Sequence, residues 1–382
     1  MTTLDWVSQE HLVYILVSLL LTMATATMYL APLQIEAMAT YFTLSSSAAG
    51  ALITGELLCS AITALGLAHL LPKLDVAKLS LGAAIVVFLT ELVSCVPLEL
   101  TSFIAVRLTS GLACGVLYAV ACYWASQQQH GVKILSVGFM VASGTYGVSL
   151  AGLPTAKEVY GLAGLFFPLA VLCIPVILQI IRVGNVQLCP PSISGEIRKE
   201  GSKWHYLWLL LAVCAFGNGG MQMLWTFSEG AAVERGFGIT EISVVLSVST
   251  LFNIAGSMLA GLLNRRFGMS RPLAIGMLGG VGAGMLLALT TGITGFAAGL
   301  FLYGTACFFV LPYALGAGVA LDDTGRASTL AGATVLTAGA VSPMIGGLVR
   351  EYVSLTAVAW VVAAFCVIAT LSALALRKPL DS

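Results

Sequence analysis

Apolar runs close to 20 residues long recur along the whole chain, and no other feature restricts the fold as strongly. About 20 apolar residues is the length a helix needs to cross the hydrocarbon core of a bilayer. Backbone N–H and C=O groups find no water there, so each crossing must satisfy them internally, as a helix does. The runs lie at 12–31, 47–71, 77–97, 103–124, 132–154 and 161–181, then at 206–228, 241–263, 272–291, 295–319, 327–349 and 353–375. The expected fold is an all-α membrane protein of about twelve transmembrane helices. Composition agrees: 59% of the 382 residues are hydrophobic and 9% charged. A mean hydropathy of +0.99 lies outside the range of a soluble domain of this length.

One long polar interval breaks the pattern, the stretch Gly184 to Lys203 with its Pro-Pro pair, glycines and mixed charge. It reads as a linker, which divides the chain into a six-helix half at 1–183, a cytoplasmic linker at 184–203 and a second six-helix half at 204–382. Basic residues then fall mainly on one side. With the N-terminus inside, the cytoplasmic connections hold 13 of the 17 basic residues, while Lys157, Arg235 and Arg350 face out and Arg107 lies in the membrane. That asymmetry predicts both termini in the cytoplasm, as for a bacterial inner-membrane protein. No leader with a small-residue cleavage site precedes the first run, so that run is expected to stay as an anchor.

Several classes lose their support. The net charge is zero and no basic patch exists for nucleic acid. The nine cysteines form no CxxC pair and the four histidines sit far apart, so neither a metal site nor a cofactor is expected. A membrane-embedded enzyme would need a convergent nucleophile and base, which the sequence does not supply.

Ionisable chemistry concentrates in the first half. Arg107 lies inside an apolar run, where an arginine costs on the order of 2.5–3.5 kcal/mol near the bilayer centre, so it must face protein or a water-filled cavity. On a helix it shares a face with Gly111, Cys114 and Tyr118. Counting from the outer ends of their helices puts Glu56, Glu91 and Arg107 in one layer, each on a different helix. One carboxylate can neutralise the arginine, and the other is then protonated or exposed to water. Spacing does not choose between them. Glu56, Arg107 and Glu91 are the candidates for proton coupling, with Glu56 expected to carry the proton, Arg107 to set its affinity for it and Glu91 to serve as the structural partner.

Candidate substrate contacts come from both halves. The first helix carries Thr22, Thr25 and Tyr29 on one face, and the seventh carries Asn218, Gln222, Trp225 and Glu229 as a polar and aromatic stripe turned from lipid. The tenth helix offers Tyr303, Phe308, Phe309, Pro312 and Tyr313, aromatics around a proline that suit a cavity wall. From these, Tyr29, Asn218, Gln222, Trp225, Tyr303, Phe309 and Tyr313 are expected to touch a solute.

Two six-helix halves around a central linker resemble the major facilitator superfamily over nearly the full chain. Locally, Arg107, Gly111 and Gly115 resemble the fourth-helix pattern of that superfamily's drug and solute antiporters, with Ser110 where glutamine is common. The loop Gly261-Leu-Leu-Asn-Arg265-Arg266-Phe-Gly268 resembles the family's gating motif, with Arg265 in the aspartate position, and Ser342-Pro343-Met-Ile-Gly346-Gly347 resembles its Gly-Pro-x-x-Gly-Gly element. The resemblance implies pseudo-symmetric halves that rock about a midplane cavity, with Gly261, Arg265, Arg266 and Gly268 as the gating loop. It implies a monomeric secondary transporter whose partners are a small-molecule substrate, protons and the bilayer. Proton-coupled efflux of an amphipathic or aromatic compound leads. Uptake of a small organic acid held by Arg107, and a non-transporting sensor or scaffold, are the alternatives.

Overall fold

The computed structural model describes residues 3–44, 46–128, 130–184, 206–264, 266–322 and 326–381. The expected linker falls almost wholly outside them, as does Arg265. Among the described residues twelve helices are long and apolar enough to cross a membrane, and their backbone groups are paired within each helix as the bilayer demands. This is an integral membrane protein.

The first crossing is two helices, α1 (Thr3–Ala24) and α2 (Ala26–Tyr41), joined at Thr25. The hydroxyls of Thr22 and Thr25 donate to the carbonyls of Ser18 and Leu21, at 2.8 and 2.7 Å. Such bonds back to the i−4 carbonyl compete with the helix ladder and bend it. The remaining crossings of the first half are α3 (Ser46–Leu67), α4 (Val76–Val93), α5 (Leu100–Ser126), α6 (Gly131–Tyr160) and α7 (Leu162–Gly184). Between α3 and α4 the chain turns within a few residues. Pro72 opens a short 3₁₀ turn, and the Asp75 carboxylate then accepts from the Lys78 N–H at 3.1 Å and caps α4.

In the second half the seventh crossing is α8 (Leu207–Ala212), a π-helical turn at Val213–Asn218 and α9 (Gly219–Glu234). Then follow α10 (Ile239–Leu263), α11 (Ser270–Leu289), α12 (Ile293–Leu321), α13 (Arg326–Tyr352), α14 (Leu355–Ala375) and the short α15 (Arg377–Asp381).

Packing in one half repeats in the other: α3 lies along α5 and α4 along α7, as α10 lies along α12 and α11 along α14. Glycine permits the closest of these approaches. A Cβ on Gly111 would sit 2.3 Å from the Glu56 carbonyl oxygen, and one on Gly115 2.2 Å from that of Ser60. In the second half a Cβ on Gly256 would sit 2.3 Å from the Thr305 carbonyl oxygen. Small residues where backbones touch are how membrane helices gain contact without a hydrophobic driving force. The halves meet along two seams, α6 on α10 and α3 on α13.

Candidate functional site

Arg107, Glu56 and Glu91, placed in one layer by counting, are in contact. Arg107 is fully buried and its guanidinium grips Glu56 with two bonds, Nε to Oε2 at 3.1 Å and Nη2 to Oε1 at 2.7 Å. The Thr27 hydroxyl adds a third bond to Glu56 Oε1 at 2.8 Å. Glu91 is held by one oxygen only: its Oε1 accepts from Arg107 Nη1 at 2.9 Å and from the Ser110 hydroxyl at 3.3 Å. Glu91 Oε2 is buried without a hydrogen-bond partner. The guanidinium also lies 4.7 Å from the centre of the Phe166 ring, a cation–π contact that gains strength away from water. The sequence left open which carboxylate pairs with Arg107. Both do, and unequally.

A second site lies between the halves, a central cavity with about 640 Å³ of empty space out to its mouth. Five of the expected substrate residues line it: Tyr29 from α2, Asn218, Gln222 and Trp225 from the seventh crossing, and Tyr303 from α12. Trp225 and Tyr303 stack with centroids 5.9 Å apart and planes 10° from parallel, and the Tyr303 hydroxyl donates to Gln222 Oε1 at 3.4 Å. Asn218 ends the π turn, and its side-chain amide donates to the Val335 carbonyl on α13 at 2.9 Å. Insertion of one residue into a helical ladder turns the following face, and such π turns mark functional positions often.

Phe309 and Tyr313 do not line this cavity. Phe309 packs beside Gly276 of α11, and the Tyr313 hydroxyl donates to the Asn264 carbonyl at 2.6 Å. Phe308 takes the place expected of Phe309, because one residue along a helix turns the side chain by about 100°. Tyr118 and Asn253 are not among the expected solute contacts. Both line the cavity, and the Tyr118 hydroxyl and Asn253 Oδ1 are buried without hydrogen-bond partners. No charged side chain lines it among the described residues.

At one end the halves close tightly. A Cβ on Gly332 of α13 would lie 2.9 Å from the Tyr118 ring of α5, and one on Gly316 of α12 would lie 2.4 Å from Val132 of α6. Gly261 of α10 faces Ser136 of α6, with 3.3 Å from its would-be Cβ to the serine Cβ.

No protein-family model matches the chain, and no curated protein matches it. Solved structures do. The proton:xylose symporter XylE, bound to 6-bromo-6-deoxy-D-glucose, superposes with a TM-score of 0.69 at 15% identity over 97% of this chain and 96% of that one. The human organic anion transporter MFSD10 gives 0.75 at 16%, over 95% and 99%. The transporter FucP in its outward conformation gives 0.70 at 16%, over 94% and 97%. The chain has the major facilitator fold.

In this major facilitator fold the loop between α10 and α11 has a local solution of its own. Gly268 has φ +75°, a backbone region that disfavours side chains. The Asp381 carboxylate fills the space beside it and accepts from the Met269 N–H at 2.7 Å, the Ser270 N–H at 3.2 Å and the Ser270 hydroxyl. It thereby caps the N-terminus of α11, where a negative charge also suits the helix dipole. Partial burial pushes the Asp381 carboxyl up, but the Ser270 and Met269 bonds and the nearby Arg271 outweigh it and hold it below its ordinary 3.8. Arg266 is exposed on the same loop.

Proposed function

We propose that the protein is a secondary active transporter of a small organic solute, in which the six-helix halves rock about the central cavity. The leading case is proton-coupled efflux of an amphipathic or aromatic compound across a bacterial inner membrane, by a monomer with both termini in the cytoplasm. One observation carries the reading of the solute. The wall pairs the stacked Trp225 and Tyr303 with Tyr29 and Phe308, and adds two unpartnered polar atoms on Tyr118 and Asn253. Aromatic faces favour a flat apolar body, and buried polar atoms without partners favour a ligand that supplies them.

Uptake of an organic acid held by Arg107 draws no support from this geometry, because Arg107 is taken up by Glu56 and Glu91 and does not line the cavity. The likeness to an organic anion transporter still places aromatic anions in the test panel. The test is transport in proteoliposomes of known orientation, with neutral, cationic and anionic aromatic compounds under an imposed pH gradient. Gradient-driven export of a neutral or cationic compound is expected. Movement of anions alone would overturn the solute class, and transport indifferent to the gradient would overturn proton coupling.

A further inference from the structure

A second cavity lies wholly within the first half, bounded by α1, α2, α4, α5, α6 and α7. Out to its mouth it spans about 580 Å³ of empty space. A water takes roughly 30 Å³ in the liquid, so several fit. The walls are mostly apolar, and the threonines on them are already engaged: Thr22 with the Ser18 carbonyl, Thr145 with that of Val141, Thr27 with Glu56. Glu91 is the exception. It lines the chamber at 4% exposure with Oε2 unpartnered.

The chamber and the central cavity share no lining residue. Tyr146 belongs to the chamber wall and Tyr29 to the central wall, and the two rings stack between them with centroids 5.0 Å apart. Tyr146 donates its hydroxyl to the Thr22 carbonyl, and Tyr29 shares a hydrogen bond with Ser143 at 3.0 Å.

We propose that Glu91 is the proton-binding site of this protein, set in a side chamber that the transported solute does not enter. The inference deepens the proton half of the transport reading. Two carboxylates face one guanidinium, so the cluster carries one net negative charge when both are ionised, and a buried unpaired charge is costly. A proton on Glu56 breaks a two-bond grip and competes with the Thr27 hydroxyl. A proton on Glu91 Oε2 breaks no hydrogen bond, and Glu91 lines a chamber with room for water. The titratable groups facing Glu91 are Arg107 and Cys114 from α5, Glu56 from α3, Tyr146 from α6 and Cys173 from α7, with Cys95 in the turn just after α4. The thiols and the phenol are neutral at physiological pH, so the charges that act on Glu91 are those of Arg107 and Glu56. Tyr29 also lies 5.6 Å from Phe308 of the second half, centre to centre. The partition between the cavities thus touches the partner half directly.

Dicyclohexylcarbodiimide tests the assignment without any solute. A carboxylic acid adds across one C=N bond of the reagent: the acid proton goes to one nitrogen, and the oxygen bonds to the central carbon. The acyl group then shifts to the other nitrogen as a stable N-acylurea, so nothing leaves and nothing is oxidised. Only the protonated acid reacts, and the reagent is lipid-soluble. Val141 and Pro175 of the chamber lining are exposed on the outer surface of α6 and α7, which gives it a way in. On the full-length protein in lipid, peptide mass spectrometry is expected to find the adduct on Glu91 and none on Glu56, with yield falling as pH rises. Ala26→Phe, which fills the chamber and leaves both acids in place, is expected to lose the adduct. Trp225→Ala, which alters only the central cavity, is expected to keep it. An adduct on Glu56 alone, or on neither acid in the folded protein, overturns the assignment. Loss of the adduct in a folded Trp225→Ala protein overturns the separation of the two sites. Because labelling needs no solute, a protein that labels at Glu91 yet exports nothing rejects the transport reading alone.

Discussion

Tyr29 and Tyr146 stack with ring centroids 5.0 Å apart and planes 24° from parallel, and the pair is the wall between two cavities. One ring faces the space between the halves, and the other faces a chamber inside the first half. Stacked aromatic pairs in this range gain about 0.5–1.5 kcal/mol beyond the area they bury. The wall is also tied at both rings by hydrogen bonds to α1 and α6.

Trp225→Ala is expected to weaken solute binding by about 1–3 kcal/mol, because the indole is one face of the stacked pair at the cavity wall. Quenching of tryptophan fluorescence by a transported compound, compared between wild type and variant, reads the change. Unchanged affinity in a folded variant removes Trp225 from the site.

The two carboxylates on Arg107 are expected to differ in stability cost. Glu56→Gln removes the charge and one of the two acceptor oxygens of the guanidinium pair, and removal of one charged partner from a buried ion pair typically costs about 3–5 kcal/mol. Glu91→Gln, with one arm and a free oxygen, should cost clearly less. Thermal unfolding in matched detergent gives the order, and an equal or reversed order contradicts the unequal grip.

Gly111→Ala and Gly115→Ala are expected to destabilise the protein by at least about 1–3 kcal/mol, since each new Cβ meets the backbone of α3. Gly82→Ala has nothing within 4 Å of its Cβ and serves as the control. Three variants of equal stability would mean that the close approach of α3 and α5 does not hold.

Orientation is tested with reporter fusions. A reporter at Ser192 and one at the C-terminus should both report cytoplasm, and one at Glu158 the opposite side, because the basic residues lie so unevenly. An outer signal from Ser192 rejects the layout.

The carboxylate of Asp381 gives a pH signature. Its folded value lies below 3.8, so its contribution is fully present above the unfolded value and is lost as pH falls through the folded one. Asp381→Asn should therefore lower the melting temperature at neutral pH, and the gap to wild type should close below about pH 4. A gap that persists in acid means the cap does not depend on charge.

The twelve crossings were legible because bilayer thickness sets a length that can be counted on the sequence. The charged trio was legible for the same reason, since counting from helix ends gives depth. Rotation about the helix axis is harder to read. The break at Thr25 and the π turn at Val213–Asn218 change which faces align, and neither leaves a proline at the spot. On the tenth crossing a step of one residue separates Phe308, on the cavity wall, from Phe309, against Gly276. Asp381 lies 112 positions along the chain from the amide of Met269 that it caps, and no local pattern announces such a pair.

The glycine contacts between α3 and α5 have a mechanical consequence for the charges. Gly111 and Gly115 rest on the backbone of Glu56 and Ser60, and the Ser60 hydroxyl donates to the Gly111 carbonyl at 2.7 Å. The two helices are pinned main chain to main chain, so Glu56 and Arg107 are mounted on one plate and keep their spacing when that plate tilts. Glu91 rides on α4, and its bonds to Arg107 and Ser110 run from side chain to side chain. Of the three charged groups, it is the one whose distance to the others can be adjusted without unseating a backbone.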